Sequence, residues 1–79
     1  MNLIRTLTEN KLNIALIGSL DTNTAPQLEE VLNDSLDNIT ELIFDFKETD
    51  YLSSAGLRVL LAAQKKMSKQ GSLVLINVP

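Results

Sequence analysis

Glu41-Leu42-Ile43-Phe44-Asp45-Phe46, followed at Ser53-Ser54-Ala55-Gly56-Leu57-Arg58-Val59-Leu60-Leu61 by a second pattern, decides the fold. The first segment is short, apolar and rich in β-formers, and reads as a strand. In the second, apolar residues recur at helical spacing, so Leu57, Leu60, Leu61, Ala63 and Met67 are expected on a buried helix side. Lys47-Glu48-Thr49-Asp50-Tyr51-Leu52 between them is expected to leave the sheet. Ser72-Leu73-Val74-Leu75-Ile76-Asn77-Val78 follows, nearly continuous in apolar residues, as strands buried on both faces are. Gly71 stands where a residue just past a helix is expected.

The same alternation of pattern extends upstream. Leu3 to Glu9 and Leu12 to Ile17 read as a hairpin turning at Asn10-Lys11. Gly18 to Asn23 is a breaker cluster. Thr24-Ala25-Pro26-Gln27 opens a helix: Thr24 can cap, Pro26 suits the first turn, and Gln27 sits at the third position of a capping box. Ala25, Leu28, Val31, Leu32 and Leu36 give it one apolar side, and Asp37-Asn38-Ile39-Thr40 ends it. A strand following a helix this way is usually parallel to the strand before that helix. The expected fold is α/β, a small mixed sheet in ββαβαβ order with two helices packed on it. Residues 1–79 form a single domain in this reading, with no linker or repeat.

Composition narrows the function. The chain has 79 residues, no Cys and no His. Disulfides, thiol chemistry, imidazole catalysis and the common zinc sites are excluded together. A domain this small hides only about 60% of the surface its unfolded chain exposes, which disfavours a large enclosed active site. Three aromatic residues and no Trp argue against base-stacking platforms. No run of about 18 apolar residues could span a membrane. The Met1–Thr8 start resembles neither a secretory signal nor a transit peptide, so a cytoplasmic setting is expected. All ten acids lie in residues 1–50, whereas residues 51–79 hold Arg58, Lys65, Lys66 and Lys69 and no acid. An acidic total with one basic stretch disfavours direct nucleic-acid binding and fits a protein that docks on another protein.

Candidate chemistry is sparse. Gly18, Gly56 and Gly71 are too scattered for a nucleotide loop. Asp21, Asp45 and Asp50 could gather at strand ends, where ligands of open α/β sheets bind, although acidic loop residues are mostly solvated. No metal, cofactor or catalytic residue is assigned. Ser53-Ser54-Ala55-Gly56 is sharper. The first N–H groups of a helix lack internal partners and favour an anion. A phosphate on a serine there would find donors in place and bring roughly −1.5 to −2 charges. One serine suffices as a cap, and capping does not explain Gly56, which costs up to ~1 kcal/mol inside a helix against alanine. Close approach of a partner would explain it. Arg58, Lys65 and Lys69 share an outer helix face and read either as a docking stripe or as a solvated surface. A hydrolase using Ser54 as nucleophile is disfavoured by the missing His.

The Tyr51-to-Leu61 run resembles the signature of STAS domains of the anti-sigma factor antagonist type. Ile17-Gly18-Ser19-Leu20-Asp21-Thr22 is similar to that family's turn after its second strand, and Ala25-Pro26 and the Leu42–Phe46 strand also fit. The resemblance implies a non-enzymatic partner switch. The unphosphorylated protein binds an anti-sigma factor serine kinase of the GHKL type and frees a sigma factor. Phosphorylation breaks the complex, and a PP2C-type phosphatase restores it. By position in the motif the acceptor is Ser54. Many members carry Asp where Ser53 stands, which leaves Ser53 as the alternative. Asp21, Thr22 and Asn23, with Ser53, Ser54, Gly56, Leu57 and Arg58, form the implied docking surface. The other reading is a STAS-type sensor or scaffold that binds a small anion or lipid without a kinase. Family domains usually continue with another helix after the last strand, so a C-terminally shortened domain is expected here. Its exposed apolar surface would favour a homodimer through the uncovered sheet face.

Overall fold

A computed structural model describes residues 1–78. Strands β1 (Asn2–Thr8) and β2 (Lys11–Leu20) form an antiparallel hairpin, followed by α1 (Ala25–Ser35), β3 (Glu41–Asp45), β4 (Thr49–Leu52), α2 (Ser54–Met67) and β5 (Ser72–Ile76). The sheet order is β1-β2-β3-β5, and β4 pairs separately with β2. Strands β2, β3 and β5 are parallel. The expected mixed α/β sheet with two helices is therefore present, with one strand more than the sequence pattern suggested.

That strand corrects the reading of residues 47–52 as a departure from the sheet. The first half of β2 pairs with β3, from Lys11↔Glu41 to Ala15↔Asp45. At Gly18, φ is 107° and the register shifts, and the second half of β2 then pairs with β4. Gly18 is thus a bulge inside a long strand rather than the start of a breaker cluster. The bend lets one strand serve two neighbours. Buried Thr49 fixes the second, its hydroxyl donating to the Leu16 carbonyl at 2.7 Å. The hairpin turns at Glu9-Asn10, one residue earlier than expected, because Thr8 pairs with Lys11 and Glu9 takes the positive φ.

Alternation along the strands sends Leu12, Ile14, Leu16, Leu42 and Phe44 to one face, where they form a single core with Leu28 and Leu32 of α1, Leu36 just past it, and Val59, Leu60, Ala63 and Met67 of α2. The stripe on α2 is rotated from the expected one. Gly56, Leu60, Ala63 and Met67 recur at helical spacing on the core side, whereas Leu57 and Leu61 are 47% and 63% exposed. At 3.6 residues per turn each lies about 100° round from the residue before it, which carries Leu57 off the core. Strand β5 is also unlike the expected doubly buried strand: Val74, Leu75 and Ile76 are exposed. It lies at the end of the sheet with one neighbour, β3. The face opposite the helices is open, with Ile4 and Val74 exposed and Asn13, Ala15 and Ile17 half-buried.

Gly71 follows the end of α2 by several residues and does not act as a left-handed cap, since its φ is not positive. A Cβ there would overlap the Thr40 carbonyl. The strand beginning at Ser72 donates to that same carbonyl at 2.9 Å, so neither backbone can withdraw without losing the entry of β5 into the sheet. We expect Gly71→Ala to destabilise the fold by about 2–3 kcal/mol, as overpacking does. Urea denaturation measures it, and an unchanged midpoint would show that the 40–71 contact gives way freely.

Candidate functional site

Strand β4 delivers the chain to the start of α2 beside the end of β2. Leu20 pairs with Leu52, and the Ser53 N–H donates to the Leu20 carbonyl at 2.9 Å. Ser53 is extended (φ −91°, ψ 171°), as a capping residue should be. Its Oγ accepts from the Gly56 N–H at 3.4 Å, and its carbonyl accepts from the Leu57 N–H at 3.0 Å. The Ser53 Oγ is therefore engaged as an acceptor at the cap, and the residue is half-buried. Ser54 is the first helical residue and is exposed. The N–H groups of Ser54 and Ala55 lie in the first turn, where a helix offers no acceptor to them. The helix dipole adds partial positive charge at the same place.

The turn between β2 and α1 stands next to this helix start. Thr22, Ala25, Pro26 and Glu29 line one side of a shallow cleft, and Ala55, Arg58 and Val59 line the other. Thr22 and Arg58, which the sequence reading placed in one surface, are thus brought together. Asn23 is exposed on the same turn. Leu57 is exposed on α2 one turn after the cap.

Two residues of the expected surface have internal work. Asp21 is half-buried, and its Oδ1 accepts from the Asn23 and Thr24 N–H groups at 2.9 and 3.1 Å. Its carbonyl accepts from the Ala25 N–H at 2.8 Å. It closes the turn and so presents Thr22 and Asn23. Thr24 does not cap with its side chain. Its backbone is already helical (φ −102°, ψ −21°), so its Oγ1 turns back, donating to the Ser19 carbonyl and accepting from the Asp21 N–H. Gly56 is buried, and a Cβ there would come within 2.6 Å of the Leu20 side chain. The close approach that its smallness permits is of α2 on β2, not of a partner, which corrects the sequence reading of Gly56. Its contribution to the surface is the position of the helix start.

Sequence reasoning named Pro26 only for the first turn of a helix and did not single out Glu29, yet both line the cleft opposite Ala55. Only the packing of α1 against α2 brings them there. Tyr51, 58% exposed on the strand leading to Ser53, is a further large side chain on the approach. Asp45 closes a separate turn, its carboxylate accepting from Asn77 Nδ2 and the Lys47 N–H, both at 2.9 Å. These bonds, Asn77 first, hold its carboxyl below the usual value. Asp21 is thus committed to its own turn, and Asp45 both to its turn and to a bond with Asn77 beyond β5. Among the described residues no helix is long and apolar enough to cross a membrane.

The family model described as STAS domain matches residues 4–79. The chain belongs to the STAS domain family. Among curated relatives, this STAS domain is 33% identical over 57 residues to the anti-sigma-F factor antagonist RsfB of Mycobacterium tuberculosis, covering 71% of this chain and 47% of that protein. It is 34% identical over 71 residues to the anti-sigma-B factor antagonist of Bacillus subtilis, covering 89% of this chain and 65% of that protein. The chain thus spans between about half and two thirds of the length of these relatives. Its fold matches the Bacillus protein SpoIIAA, an anti-sigma factor antagonist, in two forms. The unphosphorylated form superposes with a TM-score of 0.84 at 20% identity, covering 99% of this chain and 74% of that one. The phosphorylated form gives 0.81 at 17% identity, with the same coverage.

Proposed function

We propose that this STAS domain is an anti-sigma factor antagonist, a binding module rather than an enzyme, switched by phosphorylation of Ser54. Residues 1–79 act as one domain in this reading, in the cytoplasm. The unphosphorylated start of α2, with Thr22, Asn23, Leu57 and Arg58 around it, docks on an anti-sigma factor serine kinase of the GHKL type and so releases a sigma factor. A PP2C-type phosphatase restores the docking state.

One observation carries the choice of residue. Ser53 is half-buried with its Oγ accepting at the cap, while Ser54 is exposed at the head of a helix and takes no part in the cap. A nucleophilic hydroxyl must reach the transferred phosphoryl group in line, and Ser54 is free to do so. The product dianion then sits on the N-terminal turn, where backbone donors and the dipole stabilise it. The names of the curated relatives, and the existence of a phosphorylated SpoIIAA, support the same reading.

The test is to incubate the 79-residue chain with a candidate anti-sigma kinase and ATP, then map the phosphate by mass spectrometry. Modification at Ser54, lost in Ser54→Ala and kept in Ser53→Ala, is the expected result. Phosphate on Ser53 alone would move the acceptor. No transfer by any kinase that binds the chain would overturn the switch.

A further inference from the structure

We propose that Arg58 is the counter-ion of a phosphate on Ser54, so that phosphorylation both adds negative charge to the start of α2 and withdraws this guanidinium from the docking surface. This role rests on Ser54 being the acceptor, and it names the residue of the chain that reads the modification.

Ser54 and Arg58 stand four residues apart on α2, and both are exposed. Residues at that spacing are neighbours on a helix surface, with about 5–6 Å between their Cβ atoms. A helical side chain leans toward the N-terminus and covers the turn before its own Cα. Arg58 therefore overlies the turn that begins at Ser54. The order is also the favoured one, with the anion four residues before the cation. At about 100° per residue, Arg58 lies about 40° round the helix axis from Ser54. On its other side it lines the cleft with Ala55 and Val59, across from Glu29 of α1. The guanidinium thus stands between two anion positions, one permanent and one created by phosphorylation.

The second position is the stronger. Helix α2 offers Arg58 no carboxylate of its own, since Ser54–Met67 contains no acidic residue. Glu29 is exposed, as Arg58 is, and an exposed carboxylate pair is worth little against water. Phosphoserine brings roughly −1.5 to −2 charges and three acceptor oxygens. The planar fork of arginine binds two such oxygens at once. Glu29 loses little in the exchange, because it also lines the cavity between the helices that Lys66 borders. Lys66 lies about 12 Å further along α2 than Arg58, so releasing Arg58 does not leave Glu29 without a cation on that flank. Asp21 does not compete for the guanidinium, since its Oδ1 already accepts from the Asn23 and Thr24 N–H groups. Before modification, Arg58 is thus open to an acidic group on the partner. Afterwards that group meets a dianion in its place.

The 79-residue chain, assembled by peptide ligation with phosphoserine at position 54, tests this without any kinase. Phosphorus NMR at low salt follows the second ionisation of the phosphate. Its pKa is expected to be about 0.5 lower in the parent than in Arg58→Gln, the effect of one exposed ion pair. Arg58→Lys should recover part of the difference, because the charge stays and the fork is lost. Glu29→Gln removes the competitor and should leave the phosphate at least as acidic as in the parent. Asp21 and Asp50 are common to every variant and cancel in the comparison. The Arg58 Nε–H signal should move on phosphorylation, with circular dichroism showing that each variant stays folded. Equal ionisation in the parent and Arg58→Gln would overturn the role, as would an Arg58 signal indifferent to the phosphate. A pair present in the synthetic phosphoprotein, when no kinase that binds the chain modifies Ser54, would support this contact and overturn Ser54 as the acceptor.

Discussion

Under the proposed switch, Ser54→Asp should weaken binding to the anti-sigma kinase by at least about a hundredfold, or about 2.7 kcal/mol, while leaving the fold intact. The fold is expected to hold because Ser54 is exposed and the cap is supplied by Ser53. An acidic side chain in the first turn is moreover favoured by the helix dipole, by a few tenths of a kcal/mol. The loss at the interface is larger because a fixed negative charge would be desolvated against a surface that accepts a neutral hydroxyl. Mismatched charge across an interface costs several kcal/mol. Aspartate carries one charge where a phosphate carries up to two, so the true phosphoprotein should bind more weakly still.

Two controls separate this effect from damage to the helix. Ser53→Ala removes the cap and should cost about 1 kcal/mol of stability, with kinase affinity reduced modestly. Ser54→Ala should retain affinity and abolish phosphorylation. Calorimetric titration of each variant into the kinase gives the comparison. If Ser54→Asp binds within a factor of about three of the parent, or about 0.7 kcal/mol, the start of α2 is not the docking surface.

The serine motif was legible because its chemistry is local. A cap requires particular residue types within four positions, the sequence offered either serine for it, and Ser53 fills the role. The hairpin and the parallel pairing of β2 with β3 were legible for the related reason that hydrophobic period and connection handedness leave few alternatives. What escaped was non-local. Thr49–Leu52 opens with two adjacent polar residues and so lacks a strand's alternation, and only the bend at Gly18 gives it a partner strand. The exposure of Leu57 and Leu61 depends on where the neighbours of α2 stop, which its own period does not encode. Gly56 was read as room for a partner, but the atom that needs the room belongs to Leu20, thirty-six residues earlier. At Gly56 the sequence carried the correct anomaly, and the fold changed its cause.

Phe44→Ala should bring the chain close to unfolding at room temperature. Phe44 is fully buried at the centre of the helix-facing side of β3, with its ring 6.3 Å from that of Phe46. These are the two phenylalanines of a chain with no Cys, Trp or His, so no disulfide reinforces the core. Proteins are stable by about 0.05–0.15 kcal/mol per residue, which for this length is roughly 4–12 kcal/mol. Removing a buried phenylalanine costs about 3–5 kcal/mol through lost burial and the cavity left behind. The loss is thus comparable with the lower end of the whole stability. It also falls where both helices meet the sheet, so the start of α2 should be lost with the core rather than after it. Phe44→Leu keeps most of the volume and should cost about 1 kcal/mol. Urea denaturation followed by circular dichroism distinguishes the two. A Phe44→Ala midpoint close to that of Phe44→Leu would mean that the helices can settle into the space, and that the core is less tightly determined by β3 than its burial implies.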